Sequence, residues 1–266
     1  MASIARMSRI DRIFAQLHAA GAKALMPFVV AGDPSLDALA PTLQALQAGG
    51  ASIAEIGIPF SDPIADGPVI AEAMHRALQR GVTPTAVMQA VRRARASLEM
   101  GLVAMVSVSI VDRCGGAAFV DQLADAGFDG LIVPDADLDA VQPLLQAAER
   151  RDLAFAMLVA PTSSDARIER LVQACRGFVY LLARAGITGE RSDAPEVADL
   201  VQRVRARTRL PLAVGFGIST AAHVQAVVRH ADAAIVGSSL VKRLAQGDTS
   251  AAPASAKAYA IELLAG

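Results

Sequence analysis

Short apolar segments alternate with longer helical segments along the whole chain, and this alternation restricts the possible folds more than any other feature. Eight segments are rich in Val, Ile, Leu and Ala, and each is followed by Gly, Pro, Ser or Asp. Continuous apolar runs of this kind are typical of strands buried on both faces of a parallel sheet. The predicted strands span 24–30, 53–57, 102–109, 130–134, 153–159, 178–182, 211–216 and 233–237.

Eight strand–helix units in 266 residues predict an α/β fold, a single-domain (β/α)8 TIM barrel over residues 1–266. An open doubly wound sheet is the alternative, but the first strand lacks the G-x-G-x-x-G turn of dinucleotide-binding sheets. Residues 8–21 are predicted to form an extra N-terminal helix that covers the bottom of the barrel. Residues 249–256 are predicted to be a linker to extra C-terminal helical elements.

The composition disfavours several classes of function. A formal net charge of -1 gives no basic excess for binding nucleic acid or a membrane surface. No apolar segment reaches the roughly 18 residues of a membrane span, and the start lacks a signal-peptide hydrophobic run. Cys114 and Cys175 have no metal or redox spacing, so we expect a cytoplasmic protein.

Residues 55–68, EIGIPFSDPIADGP, contain the most informative carboxylates. Glu55 lies in an apolar strand, and strand alternation points Ile53, Glu55 and Gly57 towards the barrel axis. A buried carboxylate is costly unless it is paired, protonated or used chemically. Glu55 is therefore a candidate acid or base at the carboxyl end of the barrel, with a purely structural carboxylate as the alternative.

Asp66 follows in a loop stiffened by Pro59, Pro63 and Pro68. By pattern alone it can simply cap a turn, as Asp before Gly often does. The prolines fix the loop and hence the direction of the Asp66 side chain. That constraint favours a second functional carboxylate.

The lysines and histidines limit the catalytic mechanisms that the sequence allows. None of the three lysines falls at a predicted strand end, so a Schiff-base mechanism is disfavoured. The four histidines show no i,i+4 pair, and we expect no metal site. Acid–base catalysis by carboxylates remains, with Tyr180 as a further candidate.

Glycine-rich turns follow the last two predicted strands, GFGIS at 215–219 and VGSS at 236–239. Backbone N–H groups at such turns bind phosphate, and the last two strands of a barrel are the usual place. Residues 184–193 after the sixth strand are predicted to form a mobile lid. Thr188 and Gly189 in this lid are available to a ligand.

Six motifs resemble those of the tryptophan synthase alpha subunit family. They are PFVVAGDPS (27–35), EIGIPFSDPIADGP (55–68), GLIVPD (130–135), YLLARAGITG (180–189), GFGIS (215–219) and IVGSSLV (235–241). They occur in the family's order and spacing over nearly the whole chain. The resemblance implies a lyase of tryptophan biosynthesis that cleaves indole-3-glycerol phosphate to indole and glyceraldehyde 3-phosphate, with no metal and no organic cofactor.

The resemblance also implies roles for individual residues. Glu55 matches the family's catalytic acid/base, and Asp66 matches the carboxylate that accepts the indole N–H. The implied substrate-binding residues are Phe28, Ile64, Tyr180, Thr188, Gly189, Phe216, Gly217, Gly237 and Ser238.

A beta subunit is the partner that the resemblance implies, in a complex of two alpha and two beta subunits. Residues 105–116 lack the Tyr or Asn that the family usually has there, whereas PFSDP, the family's other partner-facing loop, is unchanged. The alternatives are a stand-alone lyase that releases indole and a weakened paralogue that only regulates a beta subunit. A phosphate-sugar isomerase on the same barrel is a further alternative.

Overall fold

The computed structural model describes residues 7–63, 66–184, 196–246 and 248–265. Within these ranges nine parallel strands form one sheet, in the order β5-β4-β3-β2-β1-β9-β8-β7-β6. The strands are β1 Ala24–Val30, β2 Ile53–Gly57, β3 Gly101–Met105, β4 Gly130–Ile132, β5 Ala154–Ala156, β6 Leu158–Val159, β7 Val179–Leu182, β8 Leu212–Gly215 and β9 Ala233–Val236. Only Met157 separates β5 from β6, so the chain joins the two ends of the sheet. The predicted barrel is confirmed.

Helices follow the strands around the barrel. They are α1 Arg9–Ala19, α2 Leu39–Ala48, α3 Pro68–Gln79, α4 Pro84–Ala94, α5 Val108–Arg113, α6 Ala117–Ala126, α7 Gln142–Arg150, α8 Asp165–Gln173, α9 Ala198–Arg205, α10 Ala221–Val228, α11 Ser238–Ala245 and α12 Ala252–Leu264. Across the described residues, none of these helices has the length and apolar character needed to cross a membrane.

The N-terminal helix lies beneath the barrel, as predicted. Ser8 and Asp11 form a capping box that starts α1, because each side chain accepts a hydrogen bond from the other's backbone N–H. Ile10 and Phe14 of α1 are buried in the cluster of side chains that fills the barrel interior. The rings of Phe14 and Phe178 lie 6.2 Å apart between centroids, so the helix plugs the lower end of the barrel.

Side chains along the strands alternate between two apolar clusters. Ile53 of β2 belongs to the cluster inside the barrel, whereas Ala54, Ile56 and Ile58 belong to the cluster between the strands and the outer helices. This is the alternation that the sequence predicts. Glu55 consequently shares the inner face of β2 with Ile53.

The predicted strand 153–159 is interrupted, so its prediction as one strand is wrong. The backbone of Phe155 pairs antiparallel with Arg176, through N–H to O distances of 2.9 and 2.8 Å. The Met157 N–H donates to Cys175 Sγ at 3.3 Å. Because the Met157 N–H donates to a side chain and not to a neighbouring strand, the strand divides at Met157.

The predicted strand 102–109 is too long. It ends at Met105, and α5 begins at Val108. Asp135 accepts hydrogen bonds from Ser107 Oγ at 2.7 Å and from the Val108 N–H at 2.8 Å. The Asp135 carboxylate, which lies after β4, fixes the start of α5 at a point where the apolar pattern of the sequence would continue the strand.

The predicted linker 249–256 is also largely helical. A 3-10 turn at Thr249–Ala251 leads directly into α12. Pro253 falls in the first turn of α12, where a missing N–H costs no helical hydrogen bond. The predicted extra C-terminal helical elements are present, but without the linker.

Candidate active site

A cavity lies at the carboxyl ends of the barrel strands and is partly open to solvent. It is lined by Phe28, Glu55, Asp66, Ile70, Met105, Pro134, Leu158, Tyr180, Phe216, Gly217, Ile218, Ile235, Gly237, Ser238 and Ser239. Eight of the predicted site residues are therefore brought together. The other three, Ile64, Thr188 and Gly189, lie outside the described residues.

Glu55 is the most buried polar side chain of the cavity lining. It pairs in register with Phe28 of β1 and Val103 of β3, and it is 0% exposed. Neither carboxylate oxygen has a hydrogen-bond partner in the described part of the chain. Burial raises the pKa of Glu55 from 4.5 to about 8, because a low-dielectric setting disfavours the charged form. The group is mostly neutral at pH 7 and can donate a proton.

Asp66 lies where the loop after β2 meets α3. Its N–H donates to the Pro63 carbonyl at 3.0 Å, and Gly67, not Asp66, occupies the N-cap position of α3. Partial burial raises the pKa of Asp66 from 3.8 to about 6, so the carboxylate is mostly ionised at pH 7. One cavity thus contains an uncharged carboxyl group and a charged one.

Tyr180 in β7 forms a wall beside both carboxyl groups. Burial raises its pKa well above the ordinary value, and the negative charges that Glu55 and Asp66 carry above their own pKa values raise it further. The phenol therefore stays protonated at neutral pH. It can serve as a hydrogen-bond donor and a wall of the cavity, but not as a base.

The GFGIS turn has an unusual backbone. Phe216 has a φ of 82° and Gly217 a φ of 79°, and positive φ is strained for an aromatic residue. This conformation places Phe216 and Gly217 together on the cavity wall. Thr220 then caps α10, since its hydroxyl accepts from the His223 N–H at 3.2 Å.

Gly237 and Ser238 lie on the adjacent side of the cavity. Gly237 is the N-cap of α11 and Ser238 its first residue. The first backbone N–H groups of a helix have no partner within it, and the helix dipole makes them attractive to an anion. Because β8 and β9 are neighbours in the sheet, both glycine turns lie on the same cavity.

Sequence reasoning missed several apolar residues of the cavity wall. Met105, Leu158 and Ile235 lie in β3, β6 and β9, and all three pack with the inner cluster. The alternation that identified Glu55 could have identified them too. Ile70 and Ile218 come from a helix and a turn, and no pattern in the sequence indicates that they reach the cavity.

Metal ligands are not grouped in the described ranges. Among those residues no set of three or more His, Cys, Asp or Glu side chains is placed to hold a metal ion.

The sequence of this chain matches a known protein family. A family profile described as "Tryptophan synthase alpha chain" matches residues 14–264. The tryptophan synthase alpha chain of Synechococcus sp. (strain CC9902) is 43% identical over 258 residues, which are 96% of each protein. That of Thioalkalivibrio sulfidiphilus is 43% identical over 261 residues, 97% of each protein.

Comparison of folds gives the same picture. A chain of Mycobacterium tuberculosis tryptophan synthase superimposes with a TM-score of 0.89 and 37% identity, covering 98% of both chains. The tryptophan synthase A-subunit of Pyrococcus furiosus superimposes with a TM-score of 0.85 and 31% identity, over 91% of this chain and 98% of the other.

Proposed function

The chain belongs to the tryptophan synthase alpha chain family and so is a carbon–carbon lyase, and we propose that its cavity cleaves indole-3-glycerol phosphate to indole and glyceraldehyde 3-phosphate. One observation carries the assignment of the site. A neutral Glu55 and an ionised Asp66 line the same largely apolar cavity as two glycine turns. Two carboxyl groups whose pKa values are separated by their surroundings are typical of an acid–base pair.

Glu55 acts first as the acid in the proposed reaction. It donates its proton to the indole ring carbon that carries the glycerol chain, which converts the ring to an indolenine with positive charge at nitrogen. Asp66 accepts the indole N–H and stabilises that charge. The carbon–carbon bond then breaks as the glycerol hydroxyl loses its proton to the Glu55 carboxylate. Indole and the aldehyde leave, and Glu55 is protonated again.

The remaining predicted residues bind the two ends of the substrate. Phe28, Tyr180 and Phe216 surround the ring and the glycerol chain, together with Ile64. Backbone N–H groups of Gly189, Gly217, Gly237 and Ser238 bind the phosphate, and Thr188 in the lid reaches towards Asp66 on closure. The contacts of Ile64, Thr188 and Gly189 are inferred from the motifs alone.

The proposed partner is a beta subunit, in a cytoplasmic complex of two alpha and two beta subunits. In this proposal, residues 1–266 form one barrel domain. The segment after β3 supports this proposal despite its unusual sequence. Asp135 holds Ser107 and Val108 in place, so this segment has a defined conformation that a partner can contact.

Indole release from indole-3-glycerol phosphate tests the function directly. We expect the purified chain to cleave the substrate slowly, and a tryptophan synthase beta subunit to accelerate cleavage sharply. A turnover rate that the beta subunit does not change would indicate a stand-alone lyase. A chain that binds the beta subunit but cleaves nothing would indicate a regulatory paralogue.

Gly215→Ala is expected to impair cleavage through Tyr180. A Cβ atom at Gly215 would lie 2.3 Å from Tyr180 Oη and 2.8 Å from its Cζ, so the ring must move. Because small displacements of groups around a reacting substrate are costly, we expect kcat/KM to fall roughly 10- to 100-fold. Unchanged kinetics, with circular dichroism showing an intact fold, would mean that the position of Tyr180 does not matter.

A further inference from the structure

Tyr259 connects the two glycine turns from outside the cavity. It lies in α12 and is 4% exposed. Its Oη is 2.6 Å from the Ser219 carbonyl oxygen and 2.7 Å from Ser239 Oγ. Ser219 ends the GFGIS turn and Ser239 follows the Gly237–Ser238 pair, so one phenol of the C-terminal helix bridges both turns.

The chemistry of the three groups fixes the direction of both hydrogen bonds. A carbonyl oxygen can only accept, so Tyr259 donates its single hydrogen to Ser219. Tyr259 must then accept from the Ser239 hydroxyl, which directs the Ser239 hydrogen towards α12. Ser239 lines the cavity, but its hydroxyl hydrogen is used to attach the start of α11 to the C-terminal helix.

The phenol is itself held in place. The Arg243 guanidinium lies over the Tyr259 ring at 4.3 Å from the centroid, and Arg243 also pairs with Glu262 of α12 at 2.8 Å. The helix packs against α2, α10 and α11. The position of the Tyr259 hydroxyl is therefore set by the docking of the whole helix.

We propose that Tyr259 is a positioning residue for phosphate binding: it fixes the distance between the GFGIS turn and the start of α11. The proposal rests on the proposed function, because it assumes that the two turns share one phosphate. Tyr259 itself does not touch the substrate. Loss of its hydroxyl leaves the Ser219 carbonyl and the Ser239 hydroxyl without this partner. The two turns can then shift relative to each other.

The test is Tyr259→Phe, which removes the hydroxyl and keeps the ring under Arg243. We expect the Kd for inorganic phosphate and for glycerol 3-phosphate to rise roughly three- to tenfold, as loss of a hydrogen-bonded link implies. KM for indole-3-glycerol phosphate should rise similarly, while kcat and the Kd for indole stay near their original values.

Two further variants separate positioning from general stability. Ser239→Ala removes the other end of the link, so the double variant should be no worse than either single one. Ser255→Ala removes a hydroxyl from the same helix, one turn before Tyr259, and should leave phosphate affinity unchanged.

An unaltered phosphate Kd in Tyr259→Phe, or an equal loss of phosphate and indole affinity, would overturn the proposal. A parent chain that binds phosphate but cleaves nothing would instead overturn the proposed function. The effect of Tyr259 on phosphate affinity would still be measurable in that chain.

Discussion

Glu55→Gln is expected to lower indole release by about 10³-fold or more, because an amide cannot deliver the proton that general acid catalysis requires. Gln has nearly the same shape, so the barrel should stay folded. Steady-state indole release, with circular dichroism as the control, measures both properties. Substantial residual turnover would remove Glu55 from the proposed role.

The pH dependence of stability, compared between the parent and Glu55→Gln, tests whether Glu55 is buried as described. The pKa of Glu55 is raised from 4.5 to about 8 in the folded chain. Between these values the unfolded chain ionises while the folded chain keeps its proton, so the parent loses stability as pH rises through this window. Gln carries no such penalty.

Denaturant titrations at pH 5 and pH 8 should show the difference. Between pH 5 and pH 8, we expect the free energy of unfolding of Glu55→Gln to rise by roughly 3 to 4 kcal/mol relative to that of the parent. Parallel pH curves for the two proteins would mean that the Glu55 carboxyl is solvated or paired.

Asp66→Asn is expected to cut turnover roughly 100-fold or more, since it removes the charge that stabilises the indolenine.

In the parent, kcat/KM should follow a bell-shaped pH profile. The rate falls below about pH 6 as Asp66 gains a proton, and above about pH 8 as Glu55 loses one. The two limbs report apparent values of the coupled pair.

The residual activity of Asp66→Asn should lack the acidic limb, because Asn does not titrate in this range. The measurement is kcat/KM from pH 5 to pH 9 for both proteins. A variant with a lower melting temperature but unchanged turnover would show that Asp66 caps a turn and takes no part in the chemistry.

The sequence by itself determined the barrel, most strand positions and the inward direction of Glu55. These features depend on local periodicity: apolar runs alternate with helical spacing, and successive strand side chains alternate between two faces. Ile53 inside the barrel and Ile56 outside it follow from that rule alone. The family motifs identified most of the cavity's polar residues because those motifs lie at strand ends.

Only the tertiary structure decided where that local pattern is broken and what sets the properties of the site. Cys175 interrupts the fifth predicted strand at Met157, and Asp135 ends the third one from 28 residues along the chain. Tyr259 reaches Ser219 across 40 residues. The pKa values of Glu55 and Asp66 depend on burial by many distant side chains. Long-range hydrogen bonds and desolvation arise only when the folded chain brings such groups together. A hydrophobic periodicity of two or 3.6 residues in the sequence therefore does not predict them.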